Sequence, residues 1–268
     1  MTDPLKSEPQ DAVKVALDGN VLEVTLDRPK ANAIDAATSR RMGEVFQAFR
    51  DTPALRAAVI TGGGDKFFCP GWDLKAAARG EGADADFGVG GFGGLQELPD
   101  LNKPVIAAVN GIAFGGGFEL ALSADIILAA EHATFALPEI KAGILADAAT
   151  IKLPRRIPYH VAMELLFTGR RMDAHEAHRW GIVAQVTPAD ELLSRARKMA
   201  RLLADGPPLV FAAIKEVLRE TAQMPVQKAF DLCNAKALPT VKTLYESEDL
   251  REGARAFAEK RDPVWRGK

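Results

Sequence analysis

The sequence predicts an α/β protein with buried parallel strands, followed by a helical C-terminal module. Three observations carry that expectation. Short apolar β-like runs end in glycine-rich turns that hand over to helical patterns. The runs Val105–Val109 and Ile126–Ala130 are apolar throughout, as strands covered on both faces are. After residue 208 the pattern is helical and broken by prolines 225 and 239.

The elements follow in order. Residues 13–17 and 21–26 flank Asp18-Gly19-Asn20, whose residues tolerate positive φ, so the chain opens on a hairpin. Asp35 stands as N-cap before a helical pattern reaching Arg50, with Met42, Val45, Phe46 and Phe49 on one face. Residues 55–60 make a β-like run ending in Thr61-Gly62-Gly63-Gly64. Residues 105–109 make another, followed by Asn110-Gly111 and the triple glycine 115–117, and residues 126–130 a third. Seven glycines fall within residues 80–94, which read as a mobile loop beside a site. From Tyr159 the pattern is mostly helical, with a capping-box-like start at Asp173 and Glu176, a stop at Gly181 and one more β-like run at 182–186. The expected division is a disordered N-terminus (1–11), a core (12–205) and a helical module (206–268) offering Phe211, Phe230, Leu232 and Leu244 for burial. No internal repeat is visible.

Composition narrows the function classes. The chain has 268 residues, 47% of them hydrophobic and 26% charged, enough for one large core. Its 34 basic and 36 acidic residues are scattered, giving a net charge of −2 and a pI near 6.1. With no basic block, neither a nucleic-acid nor a membrane partner is expected. The two cysteines, Cys69 and Cys233, and the polar first residues point to the reducing cytoplasm. The best apolar run, residues 104–109, is far shorter than the roughly 18 residues a membrane span needs.

Phe114-Gly115-Gly116-Gly117-Phe118-Glu119-Leu120 puts glycines where a strand hands over to a helix. Unpaired N–H groups and a positive dipole end at such a helix start suit a developing oxyanion, and glycines let a ligand approach the backbone. Glu119 follows in the first helical turn, and Glu139 stands directly after Pro138. Either glutamate alone reads as a solvated surface residue. Spacing does not pair them.

Lys66-Phe67-Phe68-Cys69-Pro70-Gly71-Trp72-Asp73-Leu74-Lys75, then residues 103–111 (Lys103-Pro104 to Asn110-Gly111), the triple glycine with Glu119, and Pro138-Glu139 occur in that order. Together they resemble the crotonase (enoyl-CoA hydratase) superfamily, from about residue 13 to the C-terminus. Within it, residues 26–35, 71–78, the 84–94 loop and 257–265 are similar to the carnitinyl-CoA dehydratase (crotonobetainyl-CoA hydratase) subfamily. The resemblance implies a crotonase-like ββα spiral core whose C-terminal helices assemble homotrimers or dimers of trimers. It implies a short acyl-CoA substrate, with coenzyme A entering as part of it, and no separate cofactor or metal. The oxyanion hole would be the N–H groups of Trp72 and Gly116, with Pro70 outside the pair. Glu119 would handle the β-hydroxyl or water and Glu139 the α-proton. Lys30, Ala31, Gly71, Trp72, Asp73, Leu74, Lys75, Gly115 and Gly116 would contact substrate. Retention of both glutamates argues for hydration rather than double-bond isomerisation. A general short-chain hydratase and a non-catalytic RNA-binding member are the other readings, the acidic pI counting against the latter.

One departure bears on the acyl group. Where hydratases of the superfamily carry a proline and a glycine-rich turn, this chain has Leu145-Ala146-Asp147-Ala148-Ala149-Thr150, which predicts an altered pocket loop or altered activity. A trimethylammonium head group needs aromatic faces and carboxylates. The aromatic candidates are Trp72, Phe87, Phe92, Phe114, Phe118 and Trp265, with Phe114 and Phe118 read foremost as core. Gly88-x-Gly90-x-x-Gly93 follows no strand and is not read as a nucleotide fingerprint. His175 and His178 are read as surface, Cys69 as a packed thiol. Arg155-Arg156 and Arg170-Arg171 are either solvated or hold coenzyme A phosphates.

Overall fold

The computed structural model describes residues 3–268. Strands β1 (Val13–Asp18) and β2 (Val21–Leu26) pair antiparallel about Gly19, which takes φ +58°, so the expected hairpin forms. Helix α1 (Ala36–Asp51) starts where Asp35 accepts the Thr38 N–H, and it buries Met42, Val45, Phe46 and Phe49. The chain then winds in three turns of strand, strand, helix. These are β3 (Ala57–Gly62), β4 (Phe67–Cys69), α2 (Leu74–Ala78); β5 (Val105–Val109), β6 (Ile112–Phe114), α3 (Gly116–Ala121); and β7 (Ile126–Ala130), β8 (Thr134–Ala136), α4 (Glu139–Ala142). Helices α5 (Asp147–Lys152) and α6 (Tyr159–Thr168), β9 (Met172–Asp173), α7 (Ala174–Arg179), β10 (Gln185–Thr187) and α8 (Leu192–Ala204) follow.

Each turn gives one strand to each of two sheets. The larger runs β1-β2-β3-β5-β7-β10 and is parallel from β2 onward; the smaller runs β4-β6-β8-β9, with only β9 antiparallel. This is the expected ββα spiral. Every residue of β3 and β5 is buried, and α8 lays Ala196, Ala200 and Ala204, spaced by four, toward the large sheet. The small sheet was not visible in the sequence, because its strands are two or three residues long and carry no readable period. The run expected at 182–186 enters the sheet late, at 185–187. Ile182 and Val183 still donate to the Ala177 carbonyl and finish the turn after α7.

Helices α9 (Pro208–Thr221), α10 (Val226–Asn234), α11 (Pro239–Glu246) and α12 (Glu248–Glu259) form the C-terminal module. Pro225 caps α10 and Pro239 opens α11, positions where a missing N–H is harmless. Only Ala213, Leu238 and Val241 form its buried cluster, with Leu232 and Leu244 packed against it. Phe230, which the sequence offered for burial, is exposed in the single chain, together with Ile214, Leu218, Val226 and Phe257. No described helix is long and apolar enough to cross a membrane.

Two expectations change. Of the segment expected to lack order, residues 1–2 lie outside the described residues, and the rest is tied down: Arg41 donates to the Pro4 and Lys6 carbonyls, and Leu5 packs on the core. The glycines of 88–94 serve close packing rather than freedom. Gly94, at φ +69°, lies against the Met42–Gly43 backbone with no room for a Cβ, and the Gly93 N–H donates to Ser39 Oγ at 2.9 Å.

Candidate active site

Gly115 ends the β6-to-α3 connection at φ +54°, where a Cβ would lie 2.5 Å from Glu139 Oε1. Glycine there lets α3 start against α4 and brings the two predicted glutamates to one place. Glu119 is 5% exposed, and its Oε1 accepts the Ala149 N–H at 2.8 Å from the first turn of α5. Burial pushes its carboxyl up to about 7, against the Ala149 bond and with the help of Glu139 and Asp147. Glu139 Oε2 is buried with no hydrogen-bond partner among the described residues. Burial raises this carboxyl too, and Asp147 adds to the rise. Both carboxyls therefore hold a proton more tightly than free side chains do.

The two predicted oxyanion donors also meet. Gly71, at φ +97°, packs on the α3 start so closely that a Cβ would stand 3.1 Å from Gly116 N. The bridge between Ile34 and Trp72 uses the Gly71 carbonyl and the Asp73 N–H, leaving the Trp72 N–H unused. The Gly116 N–H opens α3 and has no acceptor in its helix.

A cleft of about 670 Å³ joins these groups. Of the residues the sequence singled out, Gly71, Trp72, Leu74, Gly115, Gly116, Glu119 and Glu139 line it. Lys30, Ala31, Asp73 and Lys75 do not. Asp73 is buried and engaged elsewhere: it caps α2 through the Lys75 N–H and accepts Arg28 Nη1 at 2.8 Å. Arg28 also binds Asp35 at 2.6 Å, so one guanidinium ties the N-caps of α1 and α2 together and fixes the loop bearing Trp72. Lys30 sits on the exposed turn beyond Arg28 and Lys75 on the open side of α2.

Of the aromatic candidates, Trp72, Phe87 and Phe92 line the cleft. Phe92 covers Gly116, where any Cβ would overlap its ring, and meets Phe87 edge to face at 5.3 Å. The Trp72 indole donates to Glu81 at 2.8 Å, and Glu81 in turn accepts the Ala36 N–H at the start of α1. Phe118 is core, packed against Phe135 with the rings tilted by 54°, while the Phe114 ring lies under Arg171 and Trp265 lies beside Gly253 of α12. Asp84, Asp86, Gln96, Glu97 and Asp147 also line the cleft. Asp84, Asp86 and Asp147 fall in the two segments the sequence singles out, the 84–94 loop and residues 145–150, though not as site residues, whereas Gln96 and Glu97 come from a loop with no motif.

The segment 145–150, where an altered pocket loop was expected, starts helix α5. Ala146 precedes α5 with φ −82°, which alanine adopts freely, and Ala149 supplies the N–H that binds Glu119. Among the other candidates, burial pushes the Cys69 thiol up to about 12, which suits packing and not nucleophilic attack. His178 Nδ1 bonds the Val183 carbonyl at 2.8 Å. Arg170 is held by Glu164 and Glu176, and Arg156 donates to the Leu122 carbonyl.

Residues 17–268 match the enoyl-CoA hydratase/isomerase family. A carnitinyl-CoA dehydratase of Citrobacter koseri is 59% identical over 251 residues, 93% of this chain and 96% of that protein. One of Salmonella paratyphi A is 56% identical over 259 residues, 96% and 99% of the two chains. Among solved structures, an enoyl-CoA hydratase from Mycobacterium tuberculosis H37Rv superposes with a TM-score of 0.87 at 38% identity, covering 96% of this chain and 99% of the other.

Proposed function

The chain belongs to the enoyl-CoA hydratase/isomerase family, and on that premise we propose that it is a hydro-lyase interconverting crotonobetainyl-CoA plus water with carnitinyl-CoA. The names of the Citrobacter koseri and Salmonella paratyphi A relatives support the substrate. The observation that carries the chemistry is that Glu119 and Glu139 share one cleft with the unused N–H groups of Trp72 and Gly116.

In the hydration direction, Glu119 takes a proton from water while the water oxygen bonds to Cβ. The Cα=Cβ pair moves toward the thioester carbonyl, whose oxygen gains negative charge and is held by the two N–H groups. Glu139 then gives its proton to Cα as the carbonyl re-forms. The hydrogen bonds support this division. The Ala149 N–H favours the Glu119 anion against the burial that raises its carboxyl. Glu139 Oε2, buried without a protein donor, is suited to carrying the proton, although the Glu139 backbone N–H offsets part of that rise.

The trimethylammonium group would lie among Trp72, Phe87, Phe92 and the carboxylates Asp84, Asp86 and Glu97. Lys141 is the one basic residue on that cleft wall. The exposed apolar residues of α9, α10 and α12 support assembly into a trimer or a dimer of trimers. Two free cysteines and the absence of a basic block support a cytoplasmic setting. The test is kcat/KM for crotonobetainyl-CoA and crotonyl-CoA measured side by side. A preference for crotonyl-CoA would replace the carnitine assignment with that of a general short-chain hydratase.

A further inference from the structure

We propose that Lys152 is a positioning residue for Glu119, tying α5 to α3 and to the cleft wall so that Glu119 is held in place as a carboxylate. The proposal rests on the reading of Glu119 as the group that takes the proton from water.

Lys152 Nζ donates to Ser123 Oγ at 2.7 Å and to the Gln96 carbonyl at 2.9 Å. Ser123 Oγ in turn donates to the Glu119 carbonyl at 2.8 Å. Three residues earlier on the same helix, the Ala149 N–H binds Glu119 Oε1. Helix α5 therefore grips Glu119 twice, once at the carboxylate and once, through Lys152 and Ser123, at the backbone. Gln96 belongs to the cleft lining, so the ammonium also joins that wall to α3.

The ammonium is an unusual choice for such a brace. Among the described residues it has no salt-bridge partner, and burial pulls Lys152 down to about 8, with Arg156 adding to the fall. Glu119 and Asp147 push back, as does Glu97 from the segment before β5. A neutral donor would hold Ser123 and Gln96 without the desolvation penalty of a charge. What the charge adds is a cation beside Glu119, which otherwise faces Glu139 from α4 and Asp147 from α5, both carboxylates. Lys152 is the one cation acting on Glu119, and it opposes the burial that favours the protonated acid.

The test compares Lys152→Met and Lys152→Arg with wild type in two readouts. These are the pH profile of kcat/KM on the acyl-CoA substrate and the ¹³C-detected titration of the Glu119 carboxyl, assigned with Glu119→Gln. For Lys152→Met, the acid limb and the carboxyl titration should both move up by about one pH unit, and kcat/KM at pH 7, where wild-type Glu119 is about half ionised, should fall about fivefold. Lys152→Arg should restore the limb, because arginine keeps the charge. A limb and a titration that stay in place in Lys152→Met would overturn the proposal. Should that variant not fold, Lys152→Gln, which keeps donors without charge, is read the same way. If instead Glu119→Gln retains full activity, the role of Glu119 fails, while the titration still reports whether Lys152 sets its charge.

Discussion

The Ala149 N–H donates to Glu119 Oε1 at 2.8 Å across thirty residues of chain, so the start of α5 holds the carboxylate that α3 presents. This bond comes from the segment in which the sequence departs from the glycine-rich pattern of hydratases. The departure therefore falls on the cleft wall, where Leu145 and Asp147 stand, and it supplies a support for Glu119.

Glu119→Gln and Glu139→Gln should each lower kcat by on the order of 10² or more, the usual contribution of a general acid or base. Both variants should give the circular dichroism spectrum of the wild type. Near-normal hydration by either purified variant would remove the two-glutamate mechanism.

Stability should depend on pH through Glu119. Its carboxyl ordinarily titrates near 4.5 and is pushed up to about 7 in the fold. The folded state then binds this proton more tightly than the unfolded chain, so the contribution is fully present below about 4.5 and is lost as pH rises through about 7. Urea unfolding at pH 4.5 and pH 8 should show Glu119→Gln lacking a pH-dependent loss on the order of 3 kcal/mol. Parallel pH dependence in variant and wild type would contradict a carboxyl raised by burial at this position.

Gly116→Pro removes one oxyanion donor, yet any Cβ there also strikes the Phe92 ring. The informative experiment is made in a Phe92→Ala background, comparing Gly116→Pro with Gly116→Ala. Loss of the N–H should lower kcat by about 10²–10³, roughly 3–4 kcal/mol, while the alanine variant keeps most of the background rate. Equal rates would place the oxyanion donor elsewhere.

A cation pocket built on Trp72 and Phe92 predicts discrimination between crotonobetainyl-CoA and its uncharged isostere, 5,5-dimethylhex-2-enoyl-CoA. Two rings at about 1–2 kcal/mol each give a preference on the order of 10² for the charged substrate. Trp72→Leu keeps the backbone N–H and should reduce the preference more than the rate on the isostere. Equal kcat/KM for the two substrates in wild type would sink the pocket.

Sedimentation should find an oligomer at micromolar concentration, since Phe230 and Phe257 and the apolar residues around them are not covered within one chain. A clean monomer would leave that surface without a role.

The sequence by itself determined the hairpin about Gly19, the Asp35 cap, the buried strands at 105–109 and 126–130, and the helical C-terminal module. Each of these is written in local period or turn chemistry. Its ordered motifs also named Trp72, Gly116, Glu119 and Glu139. Only the tertiary structure brought Glu119 and Glu139 to one cleft, because pairing residues twenty apart depends on the close approach that Gly115 permits between α3 and α4. It likewise decided that Asp73 serves Arg28 and not the cleft, that Phe92 covers Gly116, and that Ala149 and Lys152 brace Glu119. Such contacts link distant segments through single N–H groups and side-chain tips, which leave no period and no composition for a sequence to display.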